Sequence, residues 1–121
     1  MSTSVLVVED DPDNRELLLD MLRLYGFVAT GASDGSEALD LLRTGDVQPS
    51  VIVLDLDMPR VDGLQFLDEQ SKDDRIREVP VVVVSACYEL DSWPRTGRWT
   101  HTLQKPIEVG ALIAAVESCC L

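Results

Sequence analysis

Residues 51–59 read Val51-Ile52-Val53-Leu54-Asp55-Leu56-Asp57-Met58-Pro59, an unbroken apolar run that ends in acid. A strand with one face in water alternates apolar and polar side chains, whereas a strand covered on both faces does not. The run is rich in β-branched residues and lies between Pro49 and Pro59, so it reads as a strand. Two further runs have the same character. Val5–Val8 leads into Glu9-Asp10-Asp11, and Val81–Val84 follows Pro80 and stops at Ser85. Strands of this kind imply a parallel sheet with helices on each side.

The segments between the runs carry helical signals. Asp11-Pro12-Asp13 opens a helix, with proline in its first turn. Leu17, Leu18, Met21, Leu22 and Tyr25 recur at helical spacing, and Gly26 stops them. Phe27–Ala32 reads as a second strand. Asp34-Gly35 then turns the chain into a short helix marked by Ala38, Leu41 and Leu42, ending near Gly45. Pro59 and Gly63 bracket a loop, after which Leu64 and Leu67 mark a third helix to about Lys72. Ser92-Trp93-Pro94 and Gly97 predict a short or distorted fourth helix between Tyr88 and Trp99, because Pro94 would break a longer one. Thr102–Gln104 is a candidate edge strand. Val109, Leu112, Ile113 and Val116 fit the i, i+3, i+4, i+7 pattern of a last amphipathic helix. The alternation predicts an α/β, doubly wound parallel sheet of five strands.

The chain has 121 residues, of which 45% are apolar, enough for one core, so a single domain over residues 1–121 is expected. Ten Lys and Arg against 22 Asp and Glu leave a net charge of −12, which argues against direct nucleic-acid binding and against anionic membrane surfaces. No apolar run approaches a membrane span. The start, MSTSVLVVEDD, lacks the basic segment of a signal peptide. Cys87, Cys119 and Cys120 are an odd number, not a disulfide framework, and are expected as thiols in a reducing cytoplasm.

What ends each apolar run is chemically informative. In an open α/β sheet, ligands bind beyond the carboxyl ends of the strands, where strand order reverses. Glu9, Asp10, Asp55, Asp57, Ser85 and the Lys105 that follows the last strand would therefore converge on one rim. Gathered carboxylates raise one another's pKa and coexist most easily around a cation. An all-oxygen donor set without His or Cys suits Mg²⁺, or Mn²⁺ in its place. Such an ion keeps a position for a phosphate oxygen, and Lys105 and Ser85 would meet the remaining ones. The set suits phosphoryl transfer, with Asp55 as a nucleophile that needs no deprotonating base.

The blocks LVVEDDPDNRELL, VIVLDLDMPRVDG, VVVVSA and LQKPI, in this order and at these separations, resemble the receiver domain of two-component response regulators across essentially the whole chain. The resemblance implies a CheY-like, flavodoxin-like sheet in the order 2-1-3-4-5. It also implies that Asp55 is the phosphoacceptor, and that Asp10 holds Mg²⁺ directly while Glu9 acts through water. The main-chain carbonyl of Asp57 would be the third protein ligand. Ser85 becomes the switch hydroxyl, with Ala86 the small residue beside it, and Lys105 the lysine that precedes a cis proline. The implied partners are a sensor histidine kinase or phosphotransfer protein and a downstream protein target. The protein would catalyse only its own phosphorylation and dephosphorylation.

Other residues have plainer readings. Asp11 and Asp13 suit a helix N-terminus, Asp62-Gly63 a turn, and His101, Trp93 and Trp99 packing or partner surface. Thr102 stands where the family commonly has an aromatic switch residue, three positions before the lysine. That substitution and Pro94 bear on output rather than on the acidic site, and leave open a phosphorylation-independent interaction module on the same fold. Asp55-Leu56-Asp57 also resembles the nucleophile motif of haloacid-dehalogenase-type phosphatases. Pro59 stands where that motif needs Thr or Val, and the chain is too short for their cap.

Overall fold

The computed structural model describes residues 3–56, 62–86 and 99–119. Within them the order is β1 (Ser4–Val8), α1 (Pro12–Leu24), β2 (Val28–Ala32), α2 (Gly35–Thr44), β3 (Val51–Asp55), α3 (Asp62–Ser71), β4 (Val81–Ser85), β5 (Trp99–Gln104) and α4 (Val109–Cys119). All strand pairs are parallel, in one sheet of order β2-β1-β3-β4-β5. This is the doubly wound order expected above.

The apolar runs are continuous because each strand serves two cores. Leu6, Val8, Ile52, Leu54, Val81 and Val83 point to one face, where Ala38, Leu42, Phe66 and Leu67 of α2 and α3 cover them. Val5, Val7, Val51, Val53, Val82 and Val84 point to the other, against Leu18, Leu22, Leu112 and Val116 of α1 and α4. Successive side chains alternate faces, so every position in β1, β3 and β4 must be apolar where both faces are covered. The side chains of Leu6, Ile52 and Leu54 are fully buried, each contributing roughly 1.5–3 kcal/mol.

Helix ends follow local chemistry. Asp11 caps α1, its carboxylate accepting from the Asp13 amide at 3.1 Å, with Pro12 in the first turn. Asp34 caps α2 in the same way, accepting from the Glu37 amide at 2.7 Å, and Gly45 closes that helix at φ +80°.

Four expectations change in detail. Helix α3 begins at Asp62, so Asp62-Gly63 opens a helix and does not form a turn. Helix α1 buries Leu18, Leu19 and Leu22, while Leu17 and Tyr25 are 54% and 56% exposed. Apolar residues line more of this helix than one contact with the sheet can cover. Strand β5 begins at Trp99 rather than Thr102, because backbone pairing with Val81–Ser85 continues through residues with no apolar run. Strand β2 begins one residue later than expected, at Val28. The distorted helix expected between Tyr88 and Trp99, with Trp93 and Pro94, lies outside the described residues apart from Trp99 at the start of β5.

Candidate functional site

The carboxyl ends of β1, β3, β4 and β5 supply the polar side chains. Glu9 follows β1, Asp55 closes β3, Ser85 closes β4, and Lys105 follows β5. β1 and β3 are neighbours, and β2 lies on the far side of β1, so strand order reverses between the first and third strands. The acids sit at this switch point. Main-chain bonds fix each position. The Glu9 amide donates to Ala32 O at 3.0 Å, the Leu56 amide to Val84 O at 3.0 Å, and the Lys105 amide to Ser85 O at 3.0 Å. Parallel pairing gathers the acids, the hydroxyl and the lysine at one end of the sheet, with Glu9 and Asp55 level with Val84, Ser85 one residue further on and Lys105 just beyond it.

Carboxylate oxygens of Glu9, Asp10 and Asp55 all lie within 4.8 Å of one another. Glu9, Asp55 and Ser85 are buried, and Asp10 is half-buried. Lys105 reaches in from the side, its Nζ 3.1 Å from Asp55 Oδ1. Burial pushes the Glu9 carboxyl up to about 8, and its hydrogen bonds to Asp55 and Asp10 push in the same direction. The Asp11 amide, which donates to Glu9 Oε2 at 3.2 Å, opposes this only in part. Near neutral pH the cluster therefore retains a proton on Glu9. The three carboxyl groups beside the Lys105 ammonium form an oxygen donor set that fits Mg²⁺ or Mn²⁺.

A model of the response regulator receiver domain matches residues 5–117. The chain belongs to this family. Receiver domains are signalling modules of two-component systems rather than classical enzymes. Phosphoryl acceptance is their general function, and they bind Mg²⁺ at an acidic site. Among curated relatives, the polar-differentiation response regulator DivK of Brucella anthropi is 32% identical over 120 residues, which cover 98% of this chain and 96% of that protein. The Francisella response regulator 1452 receiver domain superposes with a TM-score of 0.85 at 30% identity, covering 98% of this chain and 97% of that one. A sensor protein from Polaromonas sp. JS666 gives a TM-score of 0.87 at 27% identity, covering 98% and 95%. Membership disfavours the phosphatase reading of Asp55-Leu56-Asp57.

The receiver brings together five of the six residues singled out in the sequence. The sixth, Asp57, lies outside the described residues, as do Cys87 and Cys120. Asp11 and Asp13 stand at the start of α1, as their plainer reading held. The Lys105–Pro106 peptide is cis. Thr102 is exposed on β5, and His101 faces the end of α4, with Nε2 3.0 Å from Ser118 Oγ. A cleft of about 220 Å³ opens beside the acids, with Glu9 and Lys105 at its edge and Leu17, Met21 and Ile107 in its walls. No helix among the described residues is long and apolar enough to cross a membrane.

One residue of the site escaped the sequence reading. Arg15 Nη1 donates to the main-chain carbonyl of Glu9 at 2.9 Å. The signal was present, since Arg15 is the first Lys or Arg in the chain and follows an acidic stretch. Its side chain, however, binds a carbonyl and not a carboxylate, and no charge pattern reports that.

Proposed function

We propose that this receiver accepts a phosphoryl group on Asp55 from the phosphohistidine of a sensor kinase or phosphotransfer protein, and that the modification alters binding to a downstream protein. The observation that carries the proposal is the contact of Lys105 Nζ with the buried Asp55 carboxylate, beside Glu9 and Asp10. An Asp55 oxygen attacks phosphorus. The bond from phosphorus to the imidazole nitrogen breaks, and the imidazole leaves with the electron pair. Lys105, already on Asp55, follows the negative charge onto a phosphoryl oxygen, and the Ser85 hydroxyl donates to another. Asp10 and Asp55 directly, Glu9 through water and the Asp57 carbonyl would hold Mg²⁺. The ion supplies charge neutralisation for a carboxylate meeting an anionic phosphoryl group.

The cleft beside Glu9 and Lys105 suits the approach of the donor protein. Its walls are apolar, and Leu17 offers an exposed apolar contact next to the acids. Residues 1–121 act in this reading as one domain, in the cytoplasm, where such donors and targets meet.

Acetyl phosphate tests the proposal without a partner. Intact mass should show one added phosphoryl group in the presence of Mg²⁺ and none with a chelator, and Asp55→Asn should remain unmodified. A wild-type protein that never gains the group, yet binds the same target, would favour the phosphorylation-independent module.

A further inference from the structure

Both polar groups of the Glu9 main chain are held, and by different elements. Its N–H donates to Ala32 O of β2 at 3.0 Å. Its carbonyl accepts from Arg15 Nη1 at 2.9 Å, from one turn into α1. The Glu9 carbonyl belongs to the peptide that leads into Asp10, so its direction sets where the Asp10 side chain leaves the chain. Fixing that plane fixes the two acids relative to each other.

The Arg15 stem reaches the carbonyl by crossing Gly31 of β2. A Cβ on Gly31 would lie 2.9 Å from Arg15 Cδ, 3.2 Å from Arg15 Cγ and 3.2 Å from Leu19 Cδ1. The first distance is closer than real side chains come. The backbone of Gly31 is not in the left-handed region, where only Gly26 and Gly45 of the described residues lie. The requirement for glycine here is therefore one of space and not of conformation. Relieving that contact requires a shift of the Arg15 stem, which carries the bond to Glu9.

We propose that Arg15 is a positioning residue for the Glu9–Asp10 pair, and that Gly31 is glycine because the Arg15 stem occupies the place of its side chain. The proposal rests on the reading of the acidic cluster as a Mg²⁺ site, and it makes a prediction opposite in sign to simple electrostatics. A guanidinium near a cation site repels the cation, so by charge alone Arg15→Ala tightens Mg²⁺ binding. Loss of positioning weakens it, by about tenfold for groups that orient metal ligands.

The test uses the full chain with Arg15→Ala, Gly31→Ala and the double variant, by Mg²⁺ titration and by amide spectra of the metal-free protein. Each single variant should weaken Mg²⁺ by about tenfold. The double should be no weaker than either single, because both act through one contact. The amides of Asp10 and Asp11 should shift alike in both singles without metal. Tighter binding in Arg15→Ala, or losses that add in the double, would overturn the proposal. If Gly31→Ala fails to fold, the double decides: recovery when Arg15 is removed supports the proposal, and continued failure contradicts it. A wild-type protein that binds no Mg²⁺ refutes the metal reading instead. The metal-free spectra then judge the positioning, with unchanged Asp10 and Asp11 amides against it.

Discussion

Lys105 Nζ lies 3.1 Å from Asp55 Oδ1, the ammonium partly exposed and the carboxylate buried. This pair decides how the acidic cluster tolerates mutation. Asp10 shares the cluster with Glu9 and Asp55, and no ion pair to Asp10 is seen among the described residues. Asp10→Asn should therefore raise metal-free stability, by up to about 1 kcal/mol, by relieving repulsion within the cluster. Lys105→Met should lower it by roughly 1–3 kcal/mol, because it removes the ammonium from a buried carboxylate that shares its site with other acids, with some screening by solvent. Urea unfolding without Mg²⁺ measures both. A destabilised Asp10→Asn would mean that Asp10 is already compensated.

The Glu9 carboxyl sits at about 8 in the fold against an ordinary 4.5. A raised acid contributes stability that is fully present below about 4.5 and is lost as pH rises through about 8. The metal-free protein should lose stability across this window, whereas Mg²⁺ affinity should rise across it as the proton leaves. Melting curves from pH 5 to pH 9, with and without Mg²⁺, check both signs. Glu9→Gln should flatten the metal-free profile. If the variant and wild type ran parallel, Glu9 would not be the group responsible.

Leu17 is the exposed apolar residue of the cleft, 54% accessible. Leu17→Ser should change stability by no more than about 0.5 kcal/mol. It should leave labelling by acetyl phosphate intact and slow transfer from a phosphorylated donor protein. Equal losses with both donors would place Leu17 in the chemistry and not in docking.

Output should be local. Ser85 closes β4, and its carbonyl accepts the Lys105 amide. Thr102 is exposed on β5 and has no ring to swing into vacated space. A beryllofluoride mimic should alter amide exchange at Val84–Ala86 far more than along Val109–Val116. Strong protection across the last helix would mean that another side chain performs the aromatic's part.

The strands were legible because burial on two faces leaves an unbroken apolar run, as in Val51–Leu54 and Val81–Val84. The rim was legible because each run stops at a polar residue, so Glu9, Asp55 and Ser85 could be placed at one end. Edges were harder. β5 pairs on one side only, and Trp99–His101 join it through backbone bonds that side-chain pattern does not encode. The exposed side of α1 misled for the opposite reason, since Leu17 and Tyr25 have the spacing of core residues and the exposure of surface. Arg15 was illegible because its partner is a carbonyl brought near by the turn from β1 into α1.

Site mapping tests the central claim most directly. The protein is phosphorylated by a phosphohistidine donor with Mg²⁺, and the acyl phosphate is trapped by borohydride reduction and located by peptide mass spectrometry. Reduction at Asp55 alone, absent from the Asp55→Asn protein and from reactions with chelator, is the predicted result. A label on any other residue, or an undiminished label in Asp55→Asn, would contradict the account.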